Sequence, residues 1–111
     1  METGIYDLKI NQYSDYEKIF NFKDANDANI DLTTYTADLV IRDSQSGSST
    51  ILALDETSGL TLAADGNLTV TITDAQTSTL TSNKYWYYLE MATSGGIIDR
   101  YLQGDVYVNL R

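Results

Sequence analysis

Leu68, Val70 and Ile72 are interleaved with Thr69, Thr71 and Thr73. A period of two puts every second side chain on one face, so this segment reads as a strand with one side buried and one in water. The same period returns in Tyr6, Leu8 and Ile10, in Tyr35, Ala37, Leu39 and Ile41, and in Tyr85, Tyr87, Leu89 and Met91. Tyr16, Phe20 and Phe22 share a parity that Lys18 interrupts, with Ile19 opposite. Ile51 to Leu54 and Leu60 to Leu62 are apolar runs of strand length. In the last segment Ile98, Leu102, Val106, Val108 and Leu110 share one parity and are expected to face inward.

Polar tracts divide these runs. Asp24 to Asn29 and Asp43 to Ser49 are loops by composition, and Asp65-Gly66-Asn67 is a tight hairpin turn in which Gly66 takes a positive φ. Gly95-Gly96 marks another turn, and Gly104, inside the last strand, marks a bulge or a bend. Between Thr73 and Leu80 the alternation stops. A short helix near residues 74–80, capped by Thr73 or Asp74, is expected there to plug one end of the fold. Strands spaced by turn signals at roughly 8–12 residues make an all-β domain. The expected fold is a single antiparallel β-sandwich over residues 1–111, Ig-like or jelly-roll-like.

Composition narrows the chemistry. The 111 residues include no cysteine and no histidine. No disulfide or thiolate is available, and serine–histidine and cysteine–histidine catalysis are excluded. The net charge of −9 opposes contact with nucleic acid and with anionic membranes. No apolar run approaches the ~20 residues of a membrane span. The amino-terminal residues lack the basic and apolar regions of a signal peptide, so the chain is expected to be made in the cytoplasm and to be complete from Met1.

Candidate sites are few. In Tyr85-Trp86-Tyr87-Tyr88, alternation sends Trp86 and Tyr88 to the face opposite Tyr85 and Tyr87. Tyr101 and Tyr107 likewise lie opposite the core parity of the last strand. If the two strands are neighbours, Trp86, Tyr88, Tyr101 and Tyr107 form an outward aromatic patch. Such residues are enriched at interface hot spots, which makes the patch a docking face for another subunit. The alternative is that a loop or the short helix covers it within the monomer. Aromatic platforms also stack on sugars, with Asp99, Gln103 and Asn109 placed to bond hydroxyls, although a sugar site needs a concave shape. Asp27, Asn29 and Asp31 have the spacing of a calcium loop, but Leu32 stands where that loop needs glycine, which favours a solvated turn. The carboxylates Asp55 and Glu56, and Asp15 and Glu17, read as solvated charge. No catalytic residue, metal ligand or cofactor is expected.

Three stretches carry a family resemblance. They are Ile30-Asp31-Leu32-Thr33-Thr34-Tyr35 running to Ile41-Arg42, Leu80 to Met91, and Asp99 to Val108. Together they resemble the small β-sandwich structural proteins of tailed bacteriophages and are similar to the N-terminal domain of phage upper baseplate proteins. That family opens a strand with I-D-L-T-G and later shows G-x-Y-x-Y-x-L and R-x-L-x-G-x-V-x-V. Thr34 and Asn83 stand here where the family has glycine. The resemblance implies a virion component in the tail or baseplate, present in many copies or as a homo-oligomer. Its partners would be other virion proteins, without nucleic acid or membrane. The alternatives are a capsid decoration (cement) protein and a carbohydrate-binding module for host attachment.

Overall fold

The computed structural model describes residues 4–46 and 49–111. Gly47 and Ser48, part of the expected loop at 43–49, lie outside the described residues. The strands are β1 (Gly4–Ile5), β2 (Leu8–Asn11), β3 (Tyr16–Asn21), β4 (Thr36–Arg42), β5 (Thr50–Asp55), β6 (Leu60–Leu62), β7 (Asn67–Ile72), β8 (Lys84–Ala92) and β9 (Ile98–Asn109). One helical turn, α1 (Asp74–Thr77), precedes β8. Among the described residues the strands form two sheets. One has the order β1-β9-β8-β4-β5, with β2 also on β9, and the other has the order β3-β7-β6. Pairing is antiparallel except where β1 and β2 run parallel to β9.

The inward residues are those that alternation marks. Leu39, Ile41, Tyr87, Leu89 and Val106 of the large sheet meet Phe20, Leu68, Val70 and Ile72 of the small one in a single apolar cluster. Lys18, the interruption on β3, lies across the Tyr6 and Phe20 rings at 5.1 and 5.9 Å, so its parity is kept by a cation–π contact. Gly66 has φ +86°, and a side chain there would meet the Phe22 carbonyl oxygen at 2.5 Å. The β6–β7 turn is therefore pressed against the end of β3, where Phe22 N–H donates to the Gly66 carbonyl.

The helix is shorter than expected. Thr73 is the N-cap, and Gln76 completes a reciprocal capping box. The buried Thr77 hydroxyl donates to the Ser14 carbonyl, and Gln12 donates to the Leu80 carbonyl, so the turn seals the end of the sandwich where β2 passes into β3.

This strand order is that of an immunoglobulin variable-type sandwich. β9, β8, β4 and β5 take the places of strands G, F, C and C′, and β3, β7 and β6 those of B, E and D. The tyrosine corner of that fold is present, because the Tyr85 hydroxyl accepts from Ser82 N–H at 2.9 Å. Tyr87 follows two residues later, where antibody domains carry a cysteine of the inter-sheet disulfide. Here its buried phenol donates instead to the Tyr6 carbonyl at 2.5 Å and ties the first strand to the sheet. Burial pushes that phenol well above its ordinary pKa, which keeps it a donor.

Three parity expectations are corrected, at Ile98, Tyr101 and Leu110. Leu89 pairs with Leu102 but Glu90 pairs with Arg100, so Tyr101 is an extra residue in β9. Beyond this bulge the faces exchange, and Ile98 is 67% exposed rather than inward. Leu110 lies past the last pair and is exposed as well. Gly104, by contrast, pairs regularly with Tyr87. Its bare Cα makes room for the Tyr6 carbonyl oxygen, which a Cβ would meet at 2.4 Å.

Candidate functional site

The site lies on the outer face of the large sheet. β8 sends Lys84, Trp86, Tyr88 and Glu90 outward, between Arg42, Val40 and Asp38 of β4 and Tyr107, Asp105, Gln103 and Arg100 of β9. Among the described residues, no helix or strand is layered on this face.

Of the four aromatic residues expected to form the patch, three are on this face. Trp86 and Tyr88 are adjacent, with ring centroids 5.7 Å apart. Tyr107 is on the same face nearer its end, exposed, with the Lys84 ammonium 5.9 Å from its ring. Tyr101 is not part of the patch. The bulge turns it inward, where it joins the core and meets Phe22 edge-to-face at 5.5 Å. Burial raises the pKa of its hydroxyl.

The aromatics are also not bare. Trp86 is 8% exposed and Tyr88 is half-buried. Arginine side chains lie against both rings, and Asp43 to Gln45 of the loop after β4 border Trp86. The Arg100 guanidinium sits 4.5 Å from the Tyr88 ring centre and 5.6 Å from that of Trp86. Arg42 approaches Tyr88 from the other side at 5.4 Å. Arg100 is held in place by Glu90 at 3.3 Å and by the Gln103 side-chain oxygen at 3.4 Å. The centre of the face is thus a cluster in which Trp86 and Tyr88 touch each other, Arg100 lies against both rings and Arg42 against Tyr88. Sequence reasoning missed both arginines. Arg42 was signalled only by its parity at the end of β4, and Arg100 faces outward only because of the bulge.

At the far end of the cluster, Asp38 stands directly opposite both Asp55 and Glu90. Burial, then Glu56, Asp55 and Glu90, hold its carboxyl above the usual range. At the near end, a shallow recess of ≈ 280 Å³ is bordered by Asp43, Gln45, Lys84, Trp86 and Asp105. Of the residues proposed to bond sugar hydroxyls, Gln103 is opposite Tyr88, whereas Asp99 is opposite the inward Met91 and Asn109 bonds Asn11.

The tract with calcium-loop spacing is a pair of Asx turns. Asp24 accepts from Asn26 and Ala28 N–H, and Asp31 from the Thr33 N–H and hydroxyl, which lowers the Asp31 pKa. Leu32, where a calcium loop has glycine, is fully buried in the core.

The site and fold together define an immunoglobulin-type sandwich with a polar-aromatic sheet face. No protein-family model matches the chain, and no curated protein matches it. Among solved structures the chain is similar to murine CRIg, at 14% identity over 95% of this chain and 92% of that one, with a TM-score of 0.45. It is the strand order, rather than this likeness, that sets the class.

Proposed function

We propose that this chain is a non-catalytic structural subunit of a tailed-bacteriophage particle, a tail or baseplate adaptor that binds other virion proteins and is present in many copies, with the outer face of the large sheet as a surface on which a further subunit docks. The observation behind the binding surface is the cluster of Arg42, Tyr88, Arg100 and Trp86 at the centre of that face. Trp, Tyr and Arg are the residues that dominate interface energetics, and such anchors cluster near the middle of the contact. Rigid rings and guanidinium planes already held in one arrangement lose little freedom on docking. The virion setting is supported by the three stretches that resemble phage structural proteins.

Immunogold labelling of purified particles of the phage that encodes the chain tests the setting. Label at the tail tip is the expected result. Label over the capsid would replace the adaptor with a cement protein, and unlabelled particles would overturn the virion assignment.

A further inference from the structure

The outer face carries its charges in an order. Asp55, Asp38 and Glu90 form a row across β5, β4 and β8, closed on β9 by Arg100. The next outward row, Val40, Tyr88 and Gln103, is uncharged. The row after that is Arg42, Trp86 and Asp105. The two rows flanking the uncharged one therefore have opposite signs in matching strands: Asp38 against Arg42 on β4, and Arg100 against Asp105 on β9.

We infer that this face pairs with a second copy of itself, strands antiparallel, about a two-fold axis running across the strands through Val40 and Tyr88. The inference rests on the docking role proposed for this face and names its occupant. The operation sets Asp38 of one copy over Arg42 of the other, Arg100 over Asp105, and Ile98 over Tyr107. No like charges coincide. A two-fold running along β8 would instead stack Glu90 on Glu90 and Lys84 on Lys84. Stacked sheets cross at about 30°. The charged rows lie ~7 Å from the axis, so the crossing shifts them sideways by ~3.5 Å, less than the strand spacing of ~4.8 Å and within reach of arginine.

The long-range charge is no obstacle at the contact. On the outward strand positions Lys9, Arg42, Lys84 and Arg100 offset Asp38, Asp55, Glu90 and Asp105, and Asp43 and Glu56 at the rim add two negative charges, so most of the net charge of −9 is carried by the rest of the chain. Four strands by five outward rows cover roughly 500 Å² per copy, or about 1,000 Å² in all, which is the lower end for a specific interface. A weak dimer follows, with Kd between about 1 µM and 1 mM.

Sedimentation equilibrium of the full chain at ~0.15 M salt, to a concentration of ~1 mM, tests this. Asp38→Lys and Arg42→Asp, each of which places like charge on like across the axis, should each weaken the dimer by roughly tenfold or more. Asp38→Lys puts a cation between Asp55 and Glu90, so it leaves the monomer folded and reads association alone. The double variant Asp38→Lys/Arg42→Asp should recover dimerisation to within about threefold, because the swapped charges meet again. Single variants without effect, or a folded double variant that stays monomeric, would overturn the pairing. A monomeric wild-type chain at ~1 mM would overturn it too. The docking role is judged separately, by whether Trp86→Ala/Tyr88→Ala still enters particles.

Discussion

Gly104→Ala is expected to loosen the first strand. A methyl group at that position lies 2.4 Å from the Tyr6 carbonyl oxygen and 2.9 Å from both the Tyr6 carbonyl carbon and Asp7 Oδ1. Comfortable contacts begin near 3.5 Å, so the β1–β2 segment must retreat by about 1 Å. Two hydrogen bonds depend on its position. The Tyr87 hydroxyl donates to the Tyr6 carbonyl at 2.5 Å, and Asp105 N–H donates to Asp7 Oδ1 at 3.0 Å. Overpacking costs about 1–3 kcal/mol, and each lost bond about 1 kcal/mol. The lower entropy of the unfolded alanine chain returns about 0.5–1 kcal/mol. The net is a loss of about 2–4 kcal/mol, a large share of the ~5–15 kcal/mol that holds a domain together.

Urea unfolding followed through Trp86 fluorescence would show this as a midpoint lowered by roughly 1.3–2.7 M, for a slope near 1.5 kcal/mol/M. Tyr87→Phe removes one of the same bonds and should cost about 1–2 kcal/mol. Because the two changes share the Tyr6 carbonyl, their losses should fall short of additivity by about 1 kcal/mol. A Gly104→Ala chain within about 0.5 kcal/mol of wild type, or strict additivity with Tyr87→Phe, would refute the close-approach account of this glycine.

Asp38→Asn should stabilise the monomer by about 0.2–1 kcal/mol at pH 7, since it removes a carboxylate opposite Asp55 and Glu90 and near Glu56. The native Asp38 holds its proton to higher pH than the unfolded chain, so its penalty grows as pH rises above about 3.9 and the gain should vanish below about pH 3 in thermal melts. Thr73→Ala should cost about 1 kcal/mol by removing the acceptor of Gln76 N–H, read by urea unfolding. Tyr101→Ala should cost about 3–5 kcal/mol and Tyr107→Ala less than ~1 kcal/mol, a contrast that equal losses at the two tyrosines would contradict.

Much of the fold is legible because a half-buried strand writes its burial into residue parity. Leu68, Val70 and Ile72 are all fully buried, and so are Tyr87 and Leu89. The Thr73 cap and the Gly66 turn are local devices, each fixed by residues close in sequence. The single extra residue at Tyr101 is different. One residue flips the rest of β9, and nothing in Asp99-Arg100-Tyr101-Leu102 marks where it falls. Gly104 draws attention as a break, yet its role is set by Tyr6, 98 residues away. That relation follows from the parallel pairing of the first and last strands, which no local pattern encodes. The site was read in the same proportion. Trp86, Tyr88 and Tyr107 were placed on the outer face by alternation, whereas the arginines of the cluster come from β4 and from beyond the bulge.

The central claim is that the arginine–aromatic face is the surface by which the chain joins its assembly. Its most direct test is the amount of wild-type and Trp86→Ala/Tyr88→Ala chain retained in purified particles, with circular dichroism confirming that the variant folds. The account predicts that the wild-type chain is retained and the folded variant is lost; a folded variant retained at the wild-type level would contradict it.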